Sequence, residues 1–188
     1  MVTIEEILSY APDRFRKAEY AKRERKEYYR MIRAIRSDDK ATLAFYECLG
    51  HYAGAIQDNA TTFKQAMSVG ITNFWINDAG WIQYKKPKIE DIEISSNKLN
   101  YAVLKISEYP NGQWSYGYDY WFKREGGGCD PSIWGPLYDT RNAAIINGLS
   151  YMENSSNTIV KRDDDQEARR ALHGIAAIRD KMFQPTLF

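Results

Sequence analysis

Hydrophobic and polar positions change period about a third of the way along the chain. Between Arg14 and Arg36 there is neither Gly nor Pro, and Pro12-Asp13 supplies a stop-and-cap signal ahead of it. Within that stretch Ala18, Ala21, Tyr28, Ile32 and Ile35 keep a helical stripe, interrupted by Arg25. A second helix is predicted over Asp39–Gln57, using Leu43, Tyr46, Leu49 and Ala53, and a shorter one over Thr61–Met67. From Val69 to Ile94, Gly70, Asn77, Gly80 and Pro87 punctuate apolar residues, the texture of turns and short strands.

Leu99–Tyr109 then reads as a strand, Pro110-Asn111-Gly112 as a turn and Gln113–Phe122 as its return. Asn-Gly supplies the positive φ that tight hairpins use. On the return strand Trp114, Tyr116, Tyr118, Tyr120 and Phe122 share one face by the period of two, opposite Gln113, Ser115, Gly117, Asp119 and Trp121. Residues 123–137 read as a loop around Gly126-Gly127-Gly128. A helix capped by Asp139 or Thr140 is predicted to end near Met152. The polar residues Asn154-Ser155-Ser156-Asn157 read as a link to a last helix reaching about Met182, its start favoured by Asp163, Asp164 and Asp165.

The expected class is therefore α+β: N-terminal helices, a central antiparallel hairpin or sheet, two C-terminal helices and a short tail. The expected divisions are a helical region over 1–68, a sheet with its covering helix over 69–153, a last helix over 154–183 and the tail over 184–188. Apolar residues at 44% of 188 supply a sizeable core and exclude wholesale disorder. With 26 Lys and Arg against 25 Asp and Glu, the net charge of +1 excludes a basic coat over the whole protein. Electrostatic binding must come from a local patch. The acidic start MVTIEEILSY lacks the pattern of a signal peptide, and no apolar run approaches membrane-spanning length, so a cytoplasmic protein with reduced thiols is expected.

That local patch is Arg14–Arg36. Arg14, Arg16, Lys17, Lys22, Arg23, Arg25, Lys26, Arg30, Arg33 and Arg36 stand against Glu19, Glu24 and Glu27, a local net of +7. Simple i,i+4 pairing cannot neutralise so lopsided a helix. It suits DNA or another acidic partner, with a solvated helix face as the alternative. The aromatic strand permits two readings, a base-stacking platform or a core face covered by Ala144, Ile145, Leu149 and Met152. Residues 90–158 carry nine acidic and five basic groups, which favours the core face.

Other candidates carry less chemistry. Gly126-Gly127-Gly128 has no following Gly-Lys-Ser/Thr, so it reads as a flexible connection rather than a phosphate loop. Asp119, Glu125, Asp130 and Asp139 match no metal-nuclease spacing. His51 and His173 have no Cys/His cluster beside them, and Cys48 reads as a small buried residue. No catalytic set, metal site or cofactor is expected.

Gln184-Pro185-Thr186-Leu187-Phe188 resembles the pentapeptide with which bacterial replication and repair proteins dock on the β sliding clamp. Gln184, Leu187 and Phe188 match that family's three anchors, while Pro185 departs from its commonest second residue. The resemblance implies Leu187 and Phe188 seated in an apolar pocket of the clamp, with the Gln184 amide fixing register. The order of hairpin, Gly-rich segment, Trp134-Gly135, Tyr138-Asp139-Thr140 and helix resembles small phage and plasmid accessory proteins. Together these imply a non-enzymatic DNA-metabolism accessory protein. The alternative is a phage-encoded inhibitor of a host nuclease defence, of the anti-CRISPR type, acting by surface occlusion.

Overall fold

The computed structural model describes residues 22–49, 53–97 and 99–184. It is α+β, with five helices and two antiparallel sheets among those residues. The chain forms two compact units that part between Lys86 and Pro87. The division thus falls later than the expected 68/69, because the segment after the third helix belongs with the helices before it.

In the first unit, α1 (Lys22–Arg36), α2 (Lys40–Glu47) and α3 (Ala53–Ser68) precede a two-stranded sheet of β1 (Phe74–Ile76) and β2 (Ile82–Tyr84). Asp38 takes a positive φ of 50° to end α1, a conformation Asp tolerates better than most side chains. Asp39 then caps α2 by accepting from the Thr42 backbone N–H at 3.1 Å and the Thr42 hydroxyl at 2.7 Å. The single helix expected over 39–57 is divided: α2 stops at Glu47, and a tight turn carries the Leu49 N–H to the Tyr46 carbonyl. Leu49-Gly50 follows, and glycine propagates a helix poorly. Met31, Tyr46, Leu49, Ala60 and Ile82 form the core, flanked by the contacting rings of Phe45, Phe63 and Phe74.

In the second unit, β3 (Ile89–Ser96), β4 (Tyr101–Glu108), β5 (Trp114–Trp121) and β6 (Gly126–Cys129) form one sheet in that order. The β4–β5 hairpin turns through Pro110-Asn111-Gly112, but only Gly112 takes a positive φ, 83°. Its N–H reaches the Tyr109 carbonyl at 2.9 Å, and the three-residue loop pairs Tyr109 with Gln113. Two helices, α4 (Arg141–Asp163) and α5 (Gln166–Phe183), cover one face of the sheet. Their Ile145, Leu149, Met152, Ile159 and Ile175 bury Ala102, Leu104, Ile106 and Phe122.

Two further expectations are corrected in this unit. The Gly126-Gly127-Gly128 segment is an edge strand, not a flexible connection. A side chain at Gly126 would strike the Trp121 ring, and one at Gly127 would press on Tyr120, so glycine lets the large β5 side chains lie across β6. The second correction concerns Asn154-Ser155-Ser156-Asn157, which lies inside α4 rather than linking two helices. Ser150 and Thr158 return their hydroxyls to carbonyls four residues back, which lets such polar residues continue a helix, and Ser156 faces the core. The real break comes at Asp164, whose φ is 52°. Asp165 alone of the three acids caps α5, accepting from Glu167 N at 2.8 Å and Ala168 N at 3.1 Å.

No helix among the described residues is long and apolar enough to cross a membrane.

Candidate functional site

Of the basic segment, Lys22, Arg23, Arg25, Lys26, Arg30, Arg33 and Arg36 lie on α1. Arg14, Arg16 and Lys17 fall outside the described residues. By the 3.6-residue period, Arg33 and Arg36 fall on the side of α1 opposite Met31, and Arg30 lies at its flank. Met31 and Ala34 are buried, Ile32 and Ile35 half-buried, and Arg30, Arg33 and Arg36 exposed. Over residues 29–36 the helix is anchored by Met31 and Ala34 and presents Arg30, Arg33 and Arg36 outward.

Arg33, Arg36, Tyr29, Ile32 and Ser37 line an open hollow of about 360 Å³ at the end of α1. No ion pair engages Arg30, Arg33 or Arg36 among the described residues. The Arg30 charge lies close enough to help hold the Asp39 carboxyl below its usual range, after the two Thr42 hydrogen bonds that do most of this. Arg33 and Arg36 also stand in the last turn, where the negative end of the helix dipole favours them. Dipole complementarity contributes to α1 stability but leaves the guanidinium donors open. Such a surface can accept phosphate or carboxylate oxygens through charge-assisted hydrogen bonds. Tyr29, 60% exposed beside them, was not singled out by the sequence pattern; its place three and four residues before Ile32 and Arg33 was the available signal.

The aromatic strand has the opposite character. Phe122 is fully buried, and Trp114, Tyr116, Tyr118 and Tyr120 pack half-buried against the core. The Tyr118 and Tyr151 rings lie 4.7 Å apart with their hydroxyls hydrogen-bonded at 2.9 Å. This bond and burial push the Tyr118 hydroxyl well above the ordinary tyrosine range. A ring held in this way under α4 is scaffold, not a platform open to bases.

The scattered acids separate. Asp119 and Asp130 meet at Lys105, 3.6 Å and 3.2 Å from its Nζ, while Glu125 pairs with Arg162. Among the described residues no group of three His, Cys, Asp or Glu side chains is placed to hold a metal ion. Cys48, expected to be buried, is exposed and turns its thiol to the Phe45 carbonyl at 2.9 Å. His173 is exposed on α5, and His51 lies outside the described residues.

α5 ends at Phe183, which is 69% exposed, and Gln184 leaves the helix with ψ 121° and its side chain in solvent. Leu187 and Phe188 lie outside the described residues. No family model, curated protein sequence or solved structure matches the chain.

Proposed function

We propose that this protein is a non-enzymatic accessory factor of phage or plasmid DNA metabolism that docks on the bacterial β sliding clamp through Gln184, Leu187 and Phe188. The observation that carries the reading is the spacing of these three anchors. The exit of the backbone from α5 at Gln184 supports it, since an amide in solvent is free to bond a partner. The cationic face of α1 then engages DNA near the clamp, in the cytoplasm.

A second reading, occlusion of a host nuclease in the manner of anti-CRISPR proteins, is favoured by the open guanidinium groups of Arg33 and Arg36 beside Tyr29. Those groups suit a nuclease or its guide as well as DNA.

Affinity capture from bacterial lysate, with the full chain and one lacking residues 184–188, distinguishes the two. Clamp retained by the full chain and lost with the truncation is the expected result. Leu187→Ala with Phe188→Ala is expected to abolish binding to purified clamp, since pocket anchors carry about 2 kcal/mol or more each. Binding that survives both substitutions rules out the pentapeptide as the contact.

A further inference from the structure

The second unit has a sheet face that neither helix covers. Cross-strand pairing lays it out in rows: Ser96, Tyr101, Trp121 and Gly126; then Glu93, Val103, Asp119 and Gly128; then Asp91, Lys105 and Gly117. At Gly117, in the third row, the face is covered by the chain itself, while Asp91 at the edge stays exposed. A Cβ on Gly117 would stand 2.2 Å from the Cys129 carbonyl oxygen and 2.6 Å from Pro131 N. The first row is open, with Trp121 52% and Tyr101 36% exposed, and Leu99 just ahead of it 80% exposed.

Among the described residues, carboxylates outnumber cations around this apolar patch. Asp91, Glu93, Asp119 and Asp130 contribute carboxylates, and Lys105 is the one cation among these described positions. Its ammonium is already shared between Asp119 and Asp130. Asp119 also accepts the Tyr101 hydroxyl at 3.1 Å, which fixes that ring beside the carboxylates. That bond raises the Tyr101 hydroxyl above its ordinary range. The nearby cations Lys123 and Arg124 line a different hollow, with Asp163, Asp164 and Asp165.

We propose that this open sheet face is a docking surface for a cationic protein segment, with Arg or Lys side chains stacking on Trp121 and Tyr101 and pairing with Asp91, Glu93 and Asp119. Charge complementarity selects the occupant. Aromatic faces attract cations, and carboxylates beside them complete the pairing. Nucleic acid and anionic lipid are repelled by the same carboxylates. A second copy joined through the same face would set like charges against one another, as a two-fold contact requires. The surface shares no residue with the cationic face of α1 or with the pentapeptide, so it stands or falls separately from them.

The test is a fluorescence titration of the full chain with a labelled oligoarginine peptide, against an oligoglutamate peptide of equal length. Oligoarginine is expected to bind, and any oligoglutamate binding at the α1 cations is expected to be unchanged by the substitutions that follow. Trp121→Ala should weaken it about fivefold or more through lost stacking. Asp91→Asn with Glu93→Gln, two exposed and shape-conserving changes, should weaken it and flatten its salt dependence. Thermal melts of each variant report whether the fold is kept. Absence of oligoarginine binding, or oligoarginine affinity unchanged in both variants, overturns the proposal. A concentration-dependent rise in mass without peptide, abolished by Trp121→Ala, overturns it too, because a second copy is then the occupant.

Discussion

Gly174 of α5 lies directly against the main chain of Ile94: a Cβ there would stand 2.1 Å from the Ile94 carbonyl oxygen. Ile94 sits where the β3–β4 register shifts between Glu93 and Ser95, so the bulge turns its backbone toward the helix. Only a residue without a side chain allows α5 to approach this closely.

Helix propensity and packing therefore predict opposite signs for Gly174→Ala. Propensity alone favours Ala by about 1 kcal/mol. The contact is with backbone, which cannot swing aside as a side-chain tip can, and overpacking costs roughly 1–3 kcal/mol. A net loss of stability is expected in a denaturant melt. A gain would show that the bulge yields freely and that the close approach is incidental.

The tyrosines predict how stability responds to alkali. Burial raises the hydroxyls of Tyr109, Tyr116, Tyr120 and Tyr138, and the Tyr151 hydrogen bond raises Tyr118 above all. Each holds its proton longer when folded than when unfolded. Their contribution is thus complete below the ordinary value of 10.0 and is lost as pH climbs through and beyond it. Lys105, raised by its bond to Asp130, acts in the same direction. Tm should fall steeply above about pH 10, and Tyr118→Phe should make that fall shallower. A Tm flat across the tyrosine range contradicts the arrangement.

The hairpin and its aromatic face were legible because two local signals agreed. Pro110-Asn111-Gly112 marks the turn, and Trp114 to Phe122 alternates strictly. Counting back from that turn pairs Tyr101 with Trp121, so even the open sheet face was latent in the sequence. The Gly126–Cys129 strand was not, because glycine carries no side-chain pattern and its pairing depends on the rings that cross it. The run at 154–157 misled for a related reason: Ser and Asn favour turns locally, but Ile159 and the buried Ser156 give α4 a core to rest on. On α1 the cations were legible, whereas Tyr29 needed the helix end to bring it beside Arg33 and Arg36.

For α1, replacing Arg33 and Arg36 by Gln separates binding from stability. Both side chains are exposed and lack an ion-pair partner among the described residues, so the change should alter stability by about 0.5 kcal/mol or little more. DNA affinity should fall for every sequence alike. Its logarithmic salt slope should flatten by about 0.9 for each duplex phosphate that is no longer neutralised. An unchanged slope in an electrophoretic or anisotropy titration would mean that these two cations do not meet phosphate.

Asn59, which nothing in the sequence pattern marked, is buried in α3 at 1% exposure and ties three separate backbone segments together. Its amide Nδ2 donates to the carbonyls of Leu49 and Gly80, and its Oδ1 accepts the Ile82 N–H at 2.8 Å. Asn59→Asp keeps the shape and the Ile82 bond but replaces the donor with a carboxylate facing two carbonyl oxygens. Burying that charge without a donor should cost at least about 3 kcal/mol at neutral pH. Protonation restores one donor, and the carboxyl's folded pKa must lie above its unfolded value. The penalty therefore shrinks as pH falls below the folded pKa, the reverse of an ordinary salt-bridged acid. Asn59→Leu, which carries no titrating group, should be destabilised without this pH dependence. Melts of both variants across about pH 4–8 check the difference; parallel curves would show that the Asn59 amide is not what joins α3 to the turn before β2.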